Sequence, residues 1–363
     1  MRLLICAGGT GGGVYPALAV LEQLPSATLN LLWVGGEGGM EEELVRRAGA
    51  PFRAIAAAGV HGVGLRALPG NLLKLLRGAM QARKILRDFK PQVILFTGGY
   101  VAAPMALAAW KIPSLLYVPD IEPGLALKFL SYFANLIALT APDSEKYFPR
   151  RSRFIVSGYP LRADLQQWTR PQAARRFELD AAAPTLLVTG GSKGARSINQ
   201  AVLRCLPDLL SFTQVIHLTG ALDWEECQQA AQSLPVDLKP RYRAMPYLHE
   251  MGAALAAADL VVSRAGASTL GEYPLFGLPA ILVPYPYAWR YQKVNADFLV
   301  ERRAAWILKD EALETEMLTT VKTLLLDKEK LAAMRAAMQS LARPAAAQEI
   351  ASQLVKLAGD APL

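Results

Sequence analysis

Residues 8–13 read GGTGGG and residues 190–194 read GGSKG. Each follows an apolar run, LLICA or LLVT, and leads into a helix-like pattern. A glycine-rich turn that opens a helix presents unpaired backbone N–H groups at the positive end of the helix dipole. Phosphate fits there, and glycine lets it approach closely. The first loop offers Thr10, Gly11, Gly12 and Gly13 as candidates, and the second offers Gly191, Ser192, Lys193 and Gly194. Ser192 adds a hydroxyl donor, and Lys193 and Arg196 add charge. A tight strand-to-helix turn without a ligand uses the same glycines for packing alone. Neither loop is a P-loop, and neither is a strict GxGxxG followed about 20 residues later by an acid, which argues against a nicotinamide-dependent enzyme.

A further turn, SRAGASTLGE at residues 263–272, follows the strand-like DLVV and places Glu272 just inside a helix. A carboxylate there can accept two hydroxyl hydrogen bonds from a ribose diol. It would equally suit a helix N-terminus. After LPAILVPYP come Arg290, Gln292 and Asn295 on a helix start, suited to phosphate and to sugar hydroxyls. Such turns gathered in one half of the chain point to a nucleotide-sugar site.

The elements that must hold these turns alternate. Near-continuous apolar runs such as RLLICA, PQVILFTG, PTLLVTG and DLVVSR are separated by amphipathic stretches such as NLLKLLRGAMQARKILRDF. Strands of that kind, spaced by helices, predict parallel sheets covered on both faces, an α/β doubly wound class. The strand–glycine loop–helix unit opens each half of the chain, which predicts two similar Rossmann-like domains facing a cleft. The punctuated crossover around Gly158 sets the expected boundary: residues 1–157, then residues 158–343, with residues 344–363 folding back on the first domain.

Length agrees with two domains, since 363 residues exceed one compact core. The three cysteines have no CxxC spacing and read as thiols of a reducing compartment. The three histidines are far apart, so neither a metal site nor another cofactor is expected. Met1 and Arg2 lead straight into a strand-like run, unlike a signal peptide, and no apolar stretch is long enough to span a bilayer. A net charge of +8 suits an anionic partner. No aromatic–basic RNA motif or zinc finger occurs, so no nucleic-acid partner is expected.

GGTGGGVYPALAV, GGEGGMEEELV, FTGGYVAAPM, SGYPLR, GGSKGARSINQAV, SRAGASTLGE, GLPAILVPYP and RYQKVNA occur in that order. Together they resemble the MurG-type glycosyltransferases of family 28. The resemblance implies a GT-B fold and transfer of GlcNAc from UDP-GlcNAc to undecaprenyl-pyrophosphoryl-MurNAc-pentapeptide, making lipid II for peptidoglycan. It implies that Leu248 meets uracil through its backbone and that Glu272 holds the ribose. Ser192 and the amides of Gly191, Lys193 and Gly194 would meet the diphosphate, with Arg162 near it. Gln292 would touch the sugar, whereas its family partner is here Tyr291. On the acceptor side the resemblance implies Thr10, Gly11, Gly12, Gly13 and Tyr100. There the chain departs from the pattern. Gly13 stands where the family has histidine, Tyr117 to Asp120 replace His-Glu-Gln-Asn, and residues 59–64 read GVHGVG in place of GLRGKG.

Inverting transfer needs a base for the acceptor hydroxyl and stabilisation of departing UDP, without requiring a metal. With Gly13 at the histidine position, Asp120 is the first candidate base, His61 the second and Glu122 the third. Tyr15 and Tyr117 could only orient. Residues 71–90 and the LKFLSYF stretch combine apolar and basic residues as an anionic membrane surface would require, although an ordinary packed helix shows the same pattern. A lipid acceptor places such an enzyme at the cytoplasmic face of the cell membrane, peripherally bound. Two other readings stay open: a divergent paralogue acting on another lipid or small-molecule acceptor, and a UDP-sugar-binding protein without catalysis.

Overall fold

The computed structural model describes residues 1–8, 11–39, 41–59, 68–191, 194–286 and 291–359. It divides into two compact units, Met1–Arg162 with Arg343–Leu363, and Ala163–Ala342.

The first unit carries β1 (Arg2–Ala7), β2 (Asn30–Gly36), β3 (Phe52–Ile55), β4 (Val93–Gly98), β5 (Ser114–Val118), β6 (Leu136–Leu139) and β7 (Phe154–Val156). Its helices are α1 (Gly11–Glu22), α2 (Glu41–Arg47), α3 (Leu68–Phe89), α4 (Ala102–Ala108) and α5 (Leu125–Leu130). The sheet runs β3-β2-β1-β4-β5-β6-β7, and every pairing is parallel. Strand order reverses between β1 and β4, where Ile5 pairs with Leu95. Ligands of such sheets collect at that reversal, beyond the carboxyl ends of the strands.

The second unit carries β8 (Thr185–Thr189), β9 (Gln214–Leu218), β10 (Tyr242–Met245), β11 (Leu260–Ser263), β12 (Ala280–Leu282) and β13 (Ala305–Ile307). Its helices are α6 (Arg170–Arg176), α7 (Arg196–Arg204), α8 (Leu206–Phe212), α9 (Trp224–Ser233), α10 (Met251–Ala257), α11 (Thr269–Phe276), α12 (Tyr291–Glu301), α13 (Leu313–Leu326) and α14 (Lys328–Gln339). The sheet order is β10-β9-β8-β11-β12-β13, again all parallel, with its reversal between β8 and β11. The last helix, α15 (Ala346–Gly359), packs against α1, β4 and β5 of the first unit.

The apolar runs account for this arrangement. β4, β5, β6, β8, β9, β11 and β12 are buried along their whole length, as strands covered on both faces must be. Each unit therefore has its own core, around Ile94 and Leu116 in the first and Leu186 and Val262 in the second. Residues 158–162, which the sequence groups with the second half, belong to the first unit. The physical reason is that Gly158 donates its N–H to the Leu139 carbonyl of β6 and lies against Arg343.

Candidate functional site

In the second unit, β8 ends at Thr189 and the chain turns through Gly190 and Gly191 to Gly194 before α7 begins. Gly194 has φ +77°, and a Cβ there would overlap the Thr219 carbonyl oxygen at the end of β9. Only glycine fits. Gly191 faces open space, with nothing within 4 Å of its Cβ position. Gly194 N–H closes the turn on the Gly191 carbonyl at 3.0 Å, and Gly191 N–H donates to Thr189 Oγ1 at 3.2 Å. The result is a tight backbone turn, its own amides bonded within it, leading into a nine-residue helix whose first amides and dipole suit an anion. Ser192 and Lys193 lie outside the described residues.

Across the strand-order reversal, β11 leads into Arg264, Ala265 and Gly266. The Arg264 guanidinium donates to Asp310 Oδ1, to Ser197 Oγ at 2.8 Å and to the Val283 carbonyl at 3.2 Å. Its Cζ also lies 5.2 Å from the centre of the Tyr285 ring. These donors are committed to the fold, tying the β11 loop to α7 and to the strand-end segment after β12. Asn295 of α12 reaches the same loop, with Nδ2 donating to the Ala265 carbonyl at 3.2 Å. Gly266 itself has open space beside it. Glu272 sits half-buried in the first turn of α11. Its neighbour Tyr273 is buried and donates to Ser263 Oγ at 2.7 Å, and burial pushes that phenol well above its usual range. Gln292, in the first turn of α12, accepts the Tyr285 N–H on Oε1 at 2.9 Å, leaving its Nε2 hydrogens as donors. Leu248 is buried just past the end of β10. Arg290 lies outside the described residues.

Gly191, Gly194, Leu248, Glu272 and Gln292 thus stand beyond the carboxyl ends of one sheet. Arg162 belongs to the first unit, where its guanidinium lies 5.3 Å from the centre of the Tyr15 ring.

In the first unit, Gly13 lies in α1 against the end of β4. Thr97 Oγ1 donates to the Gly13 carbonyl at 2.8 Å. A Cβ at position 13 would lie 3.2 Å from Thr97 Oγ1 and 3.3 Å from the Thr97 carbonyl oxygen, so any side chain there requires α1 to ease away from β4. Gly11 and Gly12 open the same helix. Gly99 is as restricted, with φ +87° and a Cβ position 2.5 Å from the Gly8 carbonyl oxygen. The loops after β1 and β4 therefore touch backbone to backbone. Tyr100 is exposed beside them, its ring against Gly59. Thr10 and His61 lie outside the described residues.

Three groups follow β5 or end it. Tyr117 is buried, shares a 2.8 Å hydrogen bond with Thr140 Oγ1 and meets Tyr159 edge-on at 6.3 Å. Burial first, then Tyr159 and the Asp120 charge, drive its phenol well above the ordinary value. Glu122 is also buried and lies 3.6 Å from Lys128 Nζ, which sits over the Tyr147 ring. Asp120 is the more exposed of the two carboxylates, directly beyond the strand end.

The sequence left two groups unremarked. Glu41 looks like one acid of a surface EEE run, yet it is buried, accepts the Gly36 N–H at 2.8 Å and packs against Gly8. The glycines clustered just before it were the available signal. The second is a buried polar chain through His217 and Asn199 behind the Gly194 turn.

The comparisons with known proteins agree with one another. Residues 3–139 match the family described as Glycosyltransferase family 28 N-terminal domain, and residues 185–350 match the Glycosyltransferase family 28 C-terminal domain. A protein of Desulforudis audaxviator is 41% identical over 378 residues, covering 99% of each chain. One of Desulforamulus reducens is 38% identical over 371 residues, covering 98% of this chain and 99% of its own. Both are described as UDP-N-acetylglucosamine–N-acetylmuramyl-(pentapeptide) pyrophosphoryl-undecaprenol N-acetylglucosamine transferase. Among solved structures, Acinetobacter baumannii MurG superimposes with a TM-score of 0.78 at 28% identity, over 98% of this chain and 99% of that one.

Proposed function

Because the chain belongs to glycosyltransferase family 28 and has the GT-B pair of Rossmann-like domains, we propose that it transfers GlcNAc from UDP-GlcNAc to a polyprenyl-pyrophosphoryl MurNAc-pentapeptide, converting lipid I to lipid II. The observation that carries this reading is 38–41% identity along nearly the whole chain to relatives named for that activity, together with the glycine turn, Leu248, Glu272 and Gln292 beyond the carboxyl ends of one parallel sheet.

The residues divide the work as follows. The amides at the start of α7, held in place by the turn through Gly191 and Gly194, receive the diphosphate. They stabilise the charge that grows on UDP as the glycosidic bond breaks. Glu272 accepts the ribose hydroxyls, the backbone at Leu248 meets uracil, and Gln292 donates to the sugar from Nε2. On the acceptor side, the loops at Gly11 to Gly13 and at Tyr100 receive the lipid pyrophosphate. Asp120 takes the proton from the attacking sugar hydroxyl as the hydroxyl bonds to the anomeric carbon, with inversion there.

A second reading is favoured by one observation. Gly13 is packed on Thr97, and YVPD stands where the family has His-Glu-Gln-Asn, so the acceptor site has been rebuilt and a different lipid or small-molecule acceptor would fit. UDP release with UDP-GlcNAc, measured against lipid I and a panel of other acceptors, decides between them. Turnover with lipid I supports the first reading, and turnover with another acceptor alone supports the second. UDP binding without turnover on any acceptor contradicts both.

The protein works as a peripheral enzyme on the cytoplasmic membrane face. Among the described residues no helix is long and apolar enough to cross a bilayer. Instead, α3 buries Gly78, Ala82 and Ile85 and turns Leu72, Leu73, Leu76 and Met80 outward, the last three at 63–66% exposure. α4 packs beside α3 and α5 beside α4, adding exposed Leu107, Trp110, Phe129 and Tyr132. Lys74, Arg83, Lys84 and Lys111 are exposed on the same elements, an apolar face with cations around it that suits anionic lipid. L73E/L76E is expected to lower partition onto anionic vesicles about tenfold or more while leaving UDP affinity unchanged. Equal flotation of variant and wild type would remove this surface from the account.

A further inference from the structure

Behind the Gly194 turn runs a buried polar chain that no donor contact explains. Asn199 lies in α7, and its Nδ2 donates to the Thr219 carbonyl at 2.8 Å and to Asp223 Oδ2 at 2.7 Å. The carbonyl can only accept, so the amide nitrogen must face it and Oδ1 must face the other way. There Oδ1 meets His217 Nε2 at 2.9 Å. His217 Nε2 therefore carries the hydrogen. Its Nδ1 then accepts from the Tyr242 hydroxyl, also at 2.9 Å. His217 and Asn199 are almost wholly buried, and burial lowers the imidazole to about 3, so it holds one neutral tautomer.

The chain ends on the anion seat. The Thr219 carbonyl that Asn199 holds is the atom against which the Gly194 turn is wedged. Asn199 also sits one turn into the helix whose first amides complete that seat, its N–H bonded to the Ala195 carbonyl at 2.9 Å. Asp223, the third partner, stands at the N-terminal boundary of α9, with no capping hydrogen bond from its side chain. One amide thus fixes the loop, the start of α7 and the end of β9 relative to each other. A buried amide oxygen deprived of its donor is costly, and the amide would turn to find another.

We infer that His217 is a positioning residue for the donor diphosphate, fixing the Asn199 amide so that the Gly194 turn holds the start of α7 with its first amides aimed at the phosphates. This rests on the reading of that turn as the diphosphate seat. It differs from ordinary core packing in one respect: it acts on the phosphates and not on the nucleoside.

The test compares calorimetric affinities for UDP and for uridine in wild type, H217L and H217Q, alongside thermal midpoints. H217L removes the donor to Asn199 at similar volume and is expected to weaken UDP about tenfold while uridine changes less than about twofold. H217Q supplies an amide N–H to Asn199 Oδ1 and is expected to restore UDP to within about threefold of wild type. Should H217L not fold, Y242F reads the same ratio, with an expected loss for UDP of about threefold. Equal losses for UDP and uridine, or an unchanged UDP affinity, would overturn the inference while leaving the donor site standing. A wild-type protein that binds no UDP would overturn the donor site and this inference with it.

Discussion

Asp120→Asn is expected to lower kcat by about 100- to 10,000-fold, the usual contribution of a positioned general base. Affinity for UDP should stay within about twofold, because the nucleotide is assigned to the other unit. The substitution keeps the shape and removes only the ability to accept a proton. That separation matters here because the histidine expected at the first loop is Gly13, pressed onto Thr97 by the hydrogen bond to its own carbonyl. Restoring a side chain there would also move α1. The remaining groups near β5 are unsuited to the work. Tyr117 is buried with its phenol pushed up, and Glu122 is buried beside Lys128. Single-turnover kinetics with saturating donor measure the effect on chemistry alone. A fully active D120N excludes Asp120 as the base and returns the role to a residue such as His61.

Glu272→Ala is expected to weaken UDP-GlcNAc about 100-fold. Two hydroxyl hydrogen bonds to a carboxylate are together worth about 3 kcal/mol. The effect should be shared by UDP and uridine, since the ribose is common to both. This sets Glu272 apart from His217, whose loss should spare uridine. The plainer reading of Glu272, an acid favouring the N-terminus of α11, predicts a stability loss of about 0.5 kcal/mol and no change in affinity. Calorimetry together with a thermal midpoint separates the two, and unchanged affinity would remove Glu272 from the donor site.

The sheets could be read from the chain because their strands are nearly continuous apolar runs. LLICA, VILFTG, LLVT and LVVS became β1, β4, β8 and β11, the strands at the two reversals. The turns after them were legible because glycine at such places reports backbone contact, as Gly99 against Gly8 and Gly194 against Thr219 show. What stayed hidden depends on partners far apart in sequence. Nothing in EEELVRR distinguishes Glu41, buried under the first glycine loop, from its exposed neighbours. His217 reads as one polar residue in a strand, and only the pairing of β9 with β10 brings Tyr242 to it, while α7 delivers Asn199. Arg162 is the last residue of SGYPLR, a run that reads as the start of the second half, but the Gly158 contacts hold it to the first. The amphipathic pattern of α3 gave the apolar residues without saying which would face the sheet. Gly78 and Ala82 do so because a small residue lets the helix approach, and the leucines are left outside.

The central claim is tested most directly by supplying radiolabelled UDP-GlcNAc and lipid I in anionic vesicles and following both products. The account predicts that label enters the lipid fraction as lipid II in step with UDP released. Label that stays wholly in the aqueous phase, with lipid I recovered unchanged while UDP still binds the protein, would contradict it.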